Sequence, residues 1–243
     1  MRINTSLLNK RLSLCSLCLL LMCSQTLRSA QSPMLTLGYA EFPPYTFTYK
    51  SGDPDGILLN KAQGIISKAG YQFKPVSLPA KRLIKSLVRG DIDIFIGVKR
   101  ESNVAVDVLE GKQVIGYINL NIYSTTKQVK VKLPDLLNKK VILIRGYTYG
   151  GALDYINDKK NNIETFITNT HESAFEMLAA KRADYLLAYQ KPAELALQHT
   201  KVKSLHVTQL SSLPLHFIVS KNTPKAEEVL IQLERVFLKF NRK

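Results

Sequence analysis

Aromatic and basic side chains carry the recognisable chemistry of this 243-residue chain. Tyr45 and Phe47 lie in and after the stretch Phe42-Pro43-Pro44-Tyr45, with Tyr39 and Glu41 just before it. Rings in a proline-stiffened loop can stack on a planar solute and exclude water, or simply pack the turn. Arg82 stands near the start of a helix that begins after Pro79. Arg145, Tyr147 and Tyr149 flank a glycine-tyrosine loop that opens another helix, where free N–H groups favour an anion. Glu41 is the carboxylate near the first strand end that could serve as a general base. His171, His199, His206 and His216 are scattered without ligand spacing, so surface or core roles are expected of them.

Other chemistries are excluded by what the chain lacks. It has no G-x-S-x-G elbow, no H-E-x-x-H and no P-loop, and no cofactor is expected. Its three cysteines, Cys15, Cys18 and Cys23, all fall in the first 30 residues. Those residues read as a secretory signal peptide: a basic start (Arg2, Lys10, Arg11), the apolar run Leu12–Cys23, then polar Ser24–Ala30. A retained anchor is the alternative. Removing residues 1–30 leaves no thiol, which fits a periplasmic protein with a core that needs no disulfides. The remainder carries thirty basic residues against 19 acidic, a net charge of +11. The lysines are dispersed and no nucleic-acid motif accompanies them, so a solvated basic surface is expected, with attraction to an anionic membrane or acidic ligand as the other reading.

The elements that must position these residues alternate. Leu35, Leu37 and Tyr39 mark a strand, and Gly56–Ala69 a helix with Leu58, Ala62, Ile65 and Ile66 on one face. Tyr71–Val76 is a strand. The helix after Pro79 presents Leu83, Ile84, Leu87 and Val88 and ends at Gly90, before the strand Asp91–Ile96. Gly111–Ser124 is strand-like, and Leu133–Asn138 is one helical turn. The β-α-β-α-β order then restarts: strand Val141–Ile144, helix Ala152–Asn157, strand Ile163–Ile167, helix Thr170–Lys181, strand Asp184–Ala188 and a helix from Pro192 to about Gln198. Strand Leu215–Ser220 and helix Pro224–Phe240 close the chain, the latter with a core stripe of Ala226, Val229, Leu230, Leu233, Val236, Phe237 and Phe240.

Two copies of one α/β unit predict two lobes, residues 31–122 with 210–243 and residues 123–209. Strands near Ile118–Tyr123 and Leu205–Leu215 would be the crossings, and two crossings make a hinged cleft.

Gly38–Tyr45, the Gly52…Gly56 turn, Arg82-Leu83…Leu87…Gly90-Asp91-Ile92-Asp93, Leu136…Lys139-Lys140-Val141, Gly146-Tyr147, Ala183-Asp184 and Phe217…Ser220-Lys221…Pro224 together resemble the periplasmic solute-binding proteins of ABC transporters, in particular the polar amino-acid binders. The resemblance spans the chain after residue 30. It implies an α/β fold of type 2, with two open, mostly parallel sheets flanked by helices and joined by two crossing strands. It also implies a monomer that closes on a small-molecule solute and serves a membrane permease or a sensor. Arg100 is the residue it offers to clamp a carboxylate bidentately, with a surface arginine as the alternative. Where the family places an amine-binding Asp, five residues after Asp184, this chain has Tyr189, which cannot neutralise an ammonium group; Asp184 itself is structural in the family. The candidate ligand residues are therefore Tyr45, Arg100, Arg82, Tyr147, Tyr189, Glu41 and Phe47, for a small polar solute that is anionic or aromatic. An enzyme on the same fold, a dehydratase or hydrolase, and a secreted interaction or sensor module without transport are the competing readings.

Overall fold

The parallel strand β1 (Met34–Tyr39) is the centre from which the first half is built. A computed structural model describes residues 34–99, 107–127 and 130–240. Leu35, Leu37 and Tyr39 turn one way into a core with Leu59, Ile65, Ile66, Leu233 and Phe237. Gly38 turns the other way, where an added Cβ would collide with Leu83 and Ile92. β4 (Gln72–Ser77) and β5 (Ile94–Val98) flank β1 in parallel. β4 is the sheet edge, which accommodates Pro75, a residue with no N–H to give a second neighbour.

The helices cover both faces. α1 (Ile57–Lys68) buries Leu58, Leu59, Ala62, Ile65 and Ile66, the leucines and isoleucines each contributing about 2 kcal/mol of transfer free energy. α2 (Ala80–Arg89) starts at Pro79 and is stopped by Gly90 at φ 85, a left-handed cap that a side chain would strain. Within the second half, β8 (Lys140–Ile144) lies between parallel β9 (Glu164–Thr168) and β10 (Tyr185–Tyr189). Short α3 (Ala152–Asn157), α4 (His171–Ala179) and α5 (Gln190–Leu197) accompany these strands. Thr170 caps α4 by accepting from the Ser173 N–H at 3.1 Å. The last helix, α6 (Ala226–Phe240), returns to the first half, and the Lys61 ammonium lies 5.1 Å above the Phe237 ring.

The repeated unit is visible in hydrogen bonds as well as in element order. Asp93 Oδ2 accepts from the Thr36 N–H at 2.7 Å, while the Asp93 N–H donates to the Thr36 carbonyl at 3.0 Å. Asp184 Oδ2 accepts from the Lys140 N–H at 2.8 Å, while its own N–H donates to the Lys140 carbonyl at 2.9 Å. Each half thus fastens the start of its central strand with the same two-bond aspartate clasp. That is the structural role expected of Asp184.

β7 (Gly116–Ser124) and β11 (His206–Ser220) join the halves as one long antiparallel ribbon, with a register shift between Gln209 and Ser211. Among the described residues the sheet runs β4-β1-β5-β11-β7-β10-β8-β9, with β6 (Val108–Glu110) beside β11. The strands expected at Leu205–Leu215 and Leu215–Ser220 are one element, because β11 exchanges β7 for β5 at Leu215 without a turn. α5 begins two residues before Pro192, whose missing N–H is harmless in a first turn. The two-residue ribbon of β2 (Phe47–Thr48) and β3 (Pro54–Asp55), and three-residue β6, are too short to show a period in sequence. No described helix is long and apolar enough to cross a membrane.

Candidate functional site

The loop after β1 is held from both ends. Phe42 N–H donates to the Thr46 carbonyl at 2.7 Å, and Tyr45 N–H to the Phe42 carbonyl at 2.9 Å, closing a tight turn that contains a cis Pro43–Pro44 bond. Glu41 accepts from the Thr48 N–H at 3.0 Å, the Thr48 hydroxyl at 2.7 Å and the Ser77 hydroxyl at 2.6 Å. It therefore ties the loop to the end of β4. At the far side, Gly56 has φ 132, and a Cβ there would collide with the Tyr45 carbonyl, which accepts from the Leu58 N–H at 2.9 Å. Only a glycine lets the loop lie so close to the start of α1.

This loop presents rings to the other half of the molecule. Phe42 stacks on Tyr45 (centroids 5.1 Å) and meets Tyr147 at 5.3 Å and Tyr189 at 5.2 Å, both edge to face. Tyr147 in turn meets Tyr189 at 5.4 Å and Tyr149 at 5.9 Å, and Tyr149 stacks on Tyr189 at 5.9 Å. The five rings lie within the core cluster that also holds Leu58, Ile118, Leu143 and Leu215. Offset and edge-to-face pairs of this kind each add about 1 kcal/mol beyond burial.

The second half supplies its rings from two strand ends. After β8, residues Tyr149, Gly150 and Gly151 take φ values of 52, 59 and 91, three left-handed residues in succession. For a tyrosine that conformation is strained, and it swings the Tyr149 ring inward. The Tyr149 hydroxyl is fixed by the Ile144 N–H, which donates to it at 2.5 Å. The Thr148 hydroxyl and the N–H groups of Tyr149 and Gly150 face the Tyr189 hydroxyl and draw its pKa down against burial. Backbone N–H groups at a turn of this sort form an anion-binding concavity, and here a phenol oxygen of the chain fills it.

All these phenols are neutral. Burial pushes Tyr45 up to about 12, with Glu194 adding to the shift. Burial raises Tyr147 and Tyr149 further still, and it raises Tyr189 against its three donors. His171, the first residue of α4, lies 5.7 Å from Tyr147 with its Nε2 buried and, among the described residues, without a hydrogen-bond partner. Burial lowers its pKa, partly opposed by Glu172.

A polar rim borders the rings. The Ser212 hydroxyl donates to Asn119 Oδ1 at 2.7 Å, Asn119 Nδ2 to Gln190 Oε1 at 2.8 Å, and Gln190 Nε2 to Glu194 at 2.7 Å. This chain links β11, β7 and α5, and Glu194 exerts its charge on Tyr45.

Of the residues expected from sequence, the structure gathers Tyr45, Tyr147 and Tyr189. Phe47 instead packs edge to face on Tyr49, and Arg82 is exposed on α2. Glu41 braces the loop, and Arg100 lies outside the described residues. Phe42, Tyr149 and His171 are not among the candidate ligand residues, although Phe42 lies in the aromatic loop and Tyr149 flanks the glycine-tyrosine loop. A ring before two prolines reads as stiffening, no sequence rule assigns a left-handed φ to a tyrosine, and His171 shows only as a helix-start residue.

No protein-family model matches the chain, and no curated protein matches it significantly in sequence. Solved structures do. A histidine kinase sensor domain with similarity to periplasmic binding proteins superimposes at TM-score 0.69, with 17% identity over 87% of this chain and 92% of that one. An ancestral arginine-binding protein bound to arginine gives 0.68, 20% identity, and coverage of 88% and 94%. An ancestral amino-acid-binding protein that is a precursor of cyclohexadienyl dehydratase gives 0.65, 19% identity, and coverage of 86% and 90%. The fold is that of the two-lobed, type 2 periplasmic-binding proteins.

Proposed function

We propose that the protein is a periplasmic, non-catalytic receptor that closes two lobes on a small solute, for ABC-type uptake or for sensing. The observation that carries this reading is the insertion of Phe42, from the first half, among Tyr147 and Tyr189 of the second. The lobes divide within β7 and β11, with residues 34–122 and 210–240 on one side and 123–209 on the other, so that the rings line their seam. An aromatic solute suits such walls, since it can replace ring–ring contacts with equivalent stacking. A zwitterionic amino acid does not: the ammonium partner is replaced by Tyr189, and the N–H groups of Tyr149 and Gly150 face the Tyr189 hydroxyl. An anionic solute would rely on Arg100.

Catalysis finds little support, because Glu41 has its oxygens engaged by Thr48 and Ser77. One structural neighbour is nevertheless the precursor of a dehydratase. A sensor or interaction role without transport is the second reading, favoured by a seam in which the rings already satisfy one another.

Calorimetry against a panel of aromatic carboxylates, aromatic amines and standard amino acids tests the proposal, together with small-angle scattering. Saturation at 100 times Kd should stabilise the fold by about 2.7 kcal/mol. Absence of binding and of compaction across the panel would leave the interaction module as the better account.

A further inference from the structure

We propose that the outer face of α2 docks this protein on an anionic lipid bilayer. Lys81, Arg82, Lys85 and Arg89 are all exposed on this ten-residue helix, whose opposite face buries Leu83 and Leu87. Lys74 joins them. It pairs with Thr36, two residues before Gly38, and Gly38 faces Leu83, so the exposed Lys74 lies on the α2 side of the sheet edge.

Folding alone gives no reason for this arrangement. The first turn of α2 contains no acid and two cations, at the end where the helix dipole is positive. Lys81 and Lys85, and Lys85 and Arg89, are one turn apart and repel one another. Among the described residues Lys81, Arg82 and Lys85 form no ion pair, while Arg89 is met by Asp91 at 2.6 Å. An extended anionic surface would relieve each of these repulsions together.

The chemistry favours lipid over an acidic protein. Protein interfaces centre on buried aromatic and apolar anchors and are poor in lysine. This face has three lysines among its five cations, and the large exposed apolar side chains lie on other elements. Because the apolar side of α2 is committed to the core, nothing inserts, and attachment is electrostatic and reversible by salt.

Co-flotation of the full chain with vesicles of phosphatidylcholine alone, or mixed with phosphatidylglycerol, tests this at about 0.05 M and about 0.5 M salt. Any insertion by Leu12–Cys23 affects both vesicle types, so the readout is the preference for phosphatidylglycerol. The triple variant Lys81→Glu, Arg82→Glu, Lys85→Glu should weaken binding to anionic vesicles about 100-fold or more, by roughly 1 kcal/mol per cation lost. Its Tm should hold or rise, since acids now face the helix dipole. Lys159→Glu, Lys160→Glu, Lys201→Glu, an equal charge change at exposed sites in the second half, should bind as the wild type does. The proposal is overturned if both triples lose binding equally, which makes it net charge only. It is likewise overturned if the wild type shows no salt-sensitive preference for phosphatidylglycerol, or is retained by polyglutamate but not by vesicles.

Discussion

Phe42 and Tyr189 meet edge to face with ring centroids 5.2 Å apart and planes 78° from parallel, although one follows the first strand and the other ends the tenth. A contact across that much sequence is a direct measure of how the halves are joined. In a double-mutant cycle with Phe42→Ala and Tyr189→Leu, the coupling read from urea unfolding should be about 1 kcal/mol. Additive effects would show that the rings are adjacent without stabilising each other.

Tyr189→Phe keeps the ring and removes the oxygen that the Thr148 hydroxyl and the N–H groups of Tyr149 and Gly150 face. The N–H groups left behind should cost about 1–3 kcal/mol. The same variant frees those donors for a solute, so binding of a small carboxylate should improve while stability falls. Calorimetry and denaturation of one preparation measure both, and a change of the same sign in each would refute the assignment.

The two aspartate clasps differ in load. Asp93 is half-buried and also accepts from the Thr223 hydroxyl at 2.8 Å, whereas Asp184 is exposed and, among the described residues, its side chain serves Lys140 alone. Asp93→Ala should therefore cost about 2 kcal/mol and Asp184→Ala about 1 kcal/mol. Guanidinium midpoints would establish the order, and equal losses would show that burial and the Thr223 bond carry no extra load.

Acid should loosen the seam. His171 has a pKa lowered from 6.5 by burial, so the unfolded chain takes up its proton first as pH falls. Its stabilising contribution is complete above about pH 6.5 and declines below it. His216 acts in the same sense, through burial and then Lys99. The urea midpoint should drop between about pH 7.5 and about 5.5, and less so in His171→Gln. Near-UV circular dichroism of the tyrosines should follow, and equal shifts in both proteins would exclude His171.

Much of this architecture could be read from residue order because α1, α2, α4 and α6 carry clean helical periods and the parallel strands are short apolar runs. β11 could not, since a strand that changes partners at Leu215 changes its burial pattern without a turn residue. Tyr147 and Tyr149 are visible as tyrosines near glycines, and Tyr189 through the family resemblance. Their meeting with Phe42 depends on the Gly56 close approach and on left-handed Tyr149, tertiary features with no local signature.

The pairing of β7 with β11 has a further consequence for how the chain unfolds. One hydrogen-bonded sheet passes from edge strand β4 to edge strand β9 through that ribbon, so neither half ends in a free sheet edge at the junction. Losing one half would strip the ladder from the other. Heat or denaturant should therefore give a single transition rather than two. A clasp broken at Asp184 should lower the melting of the first half as much as that of its own.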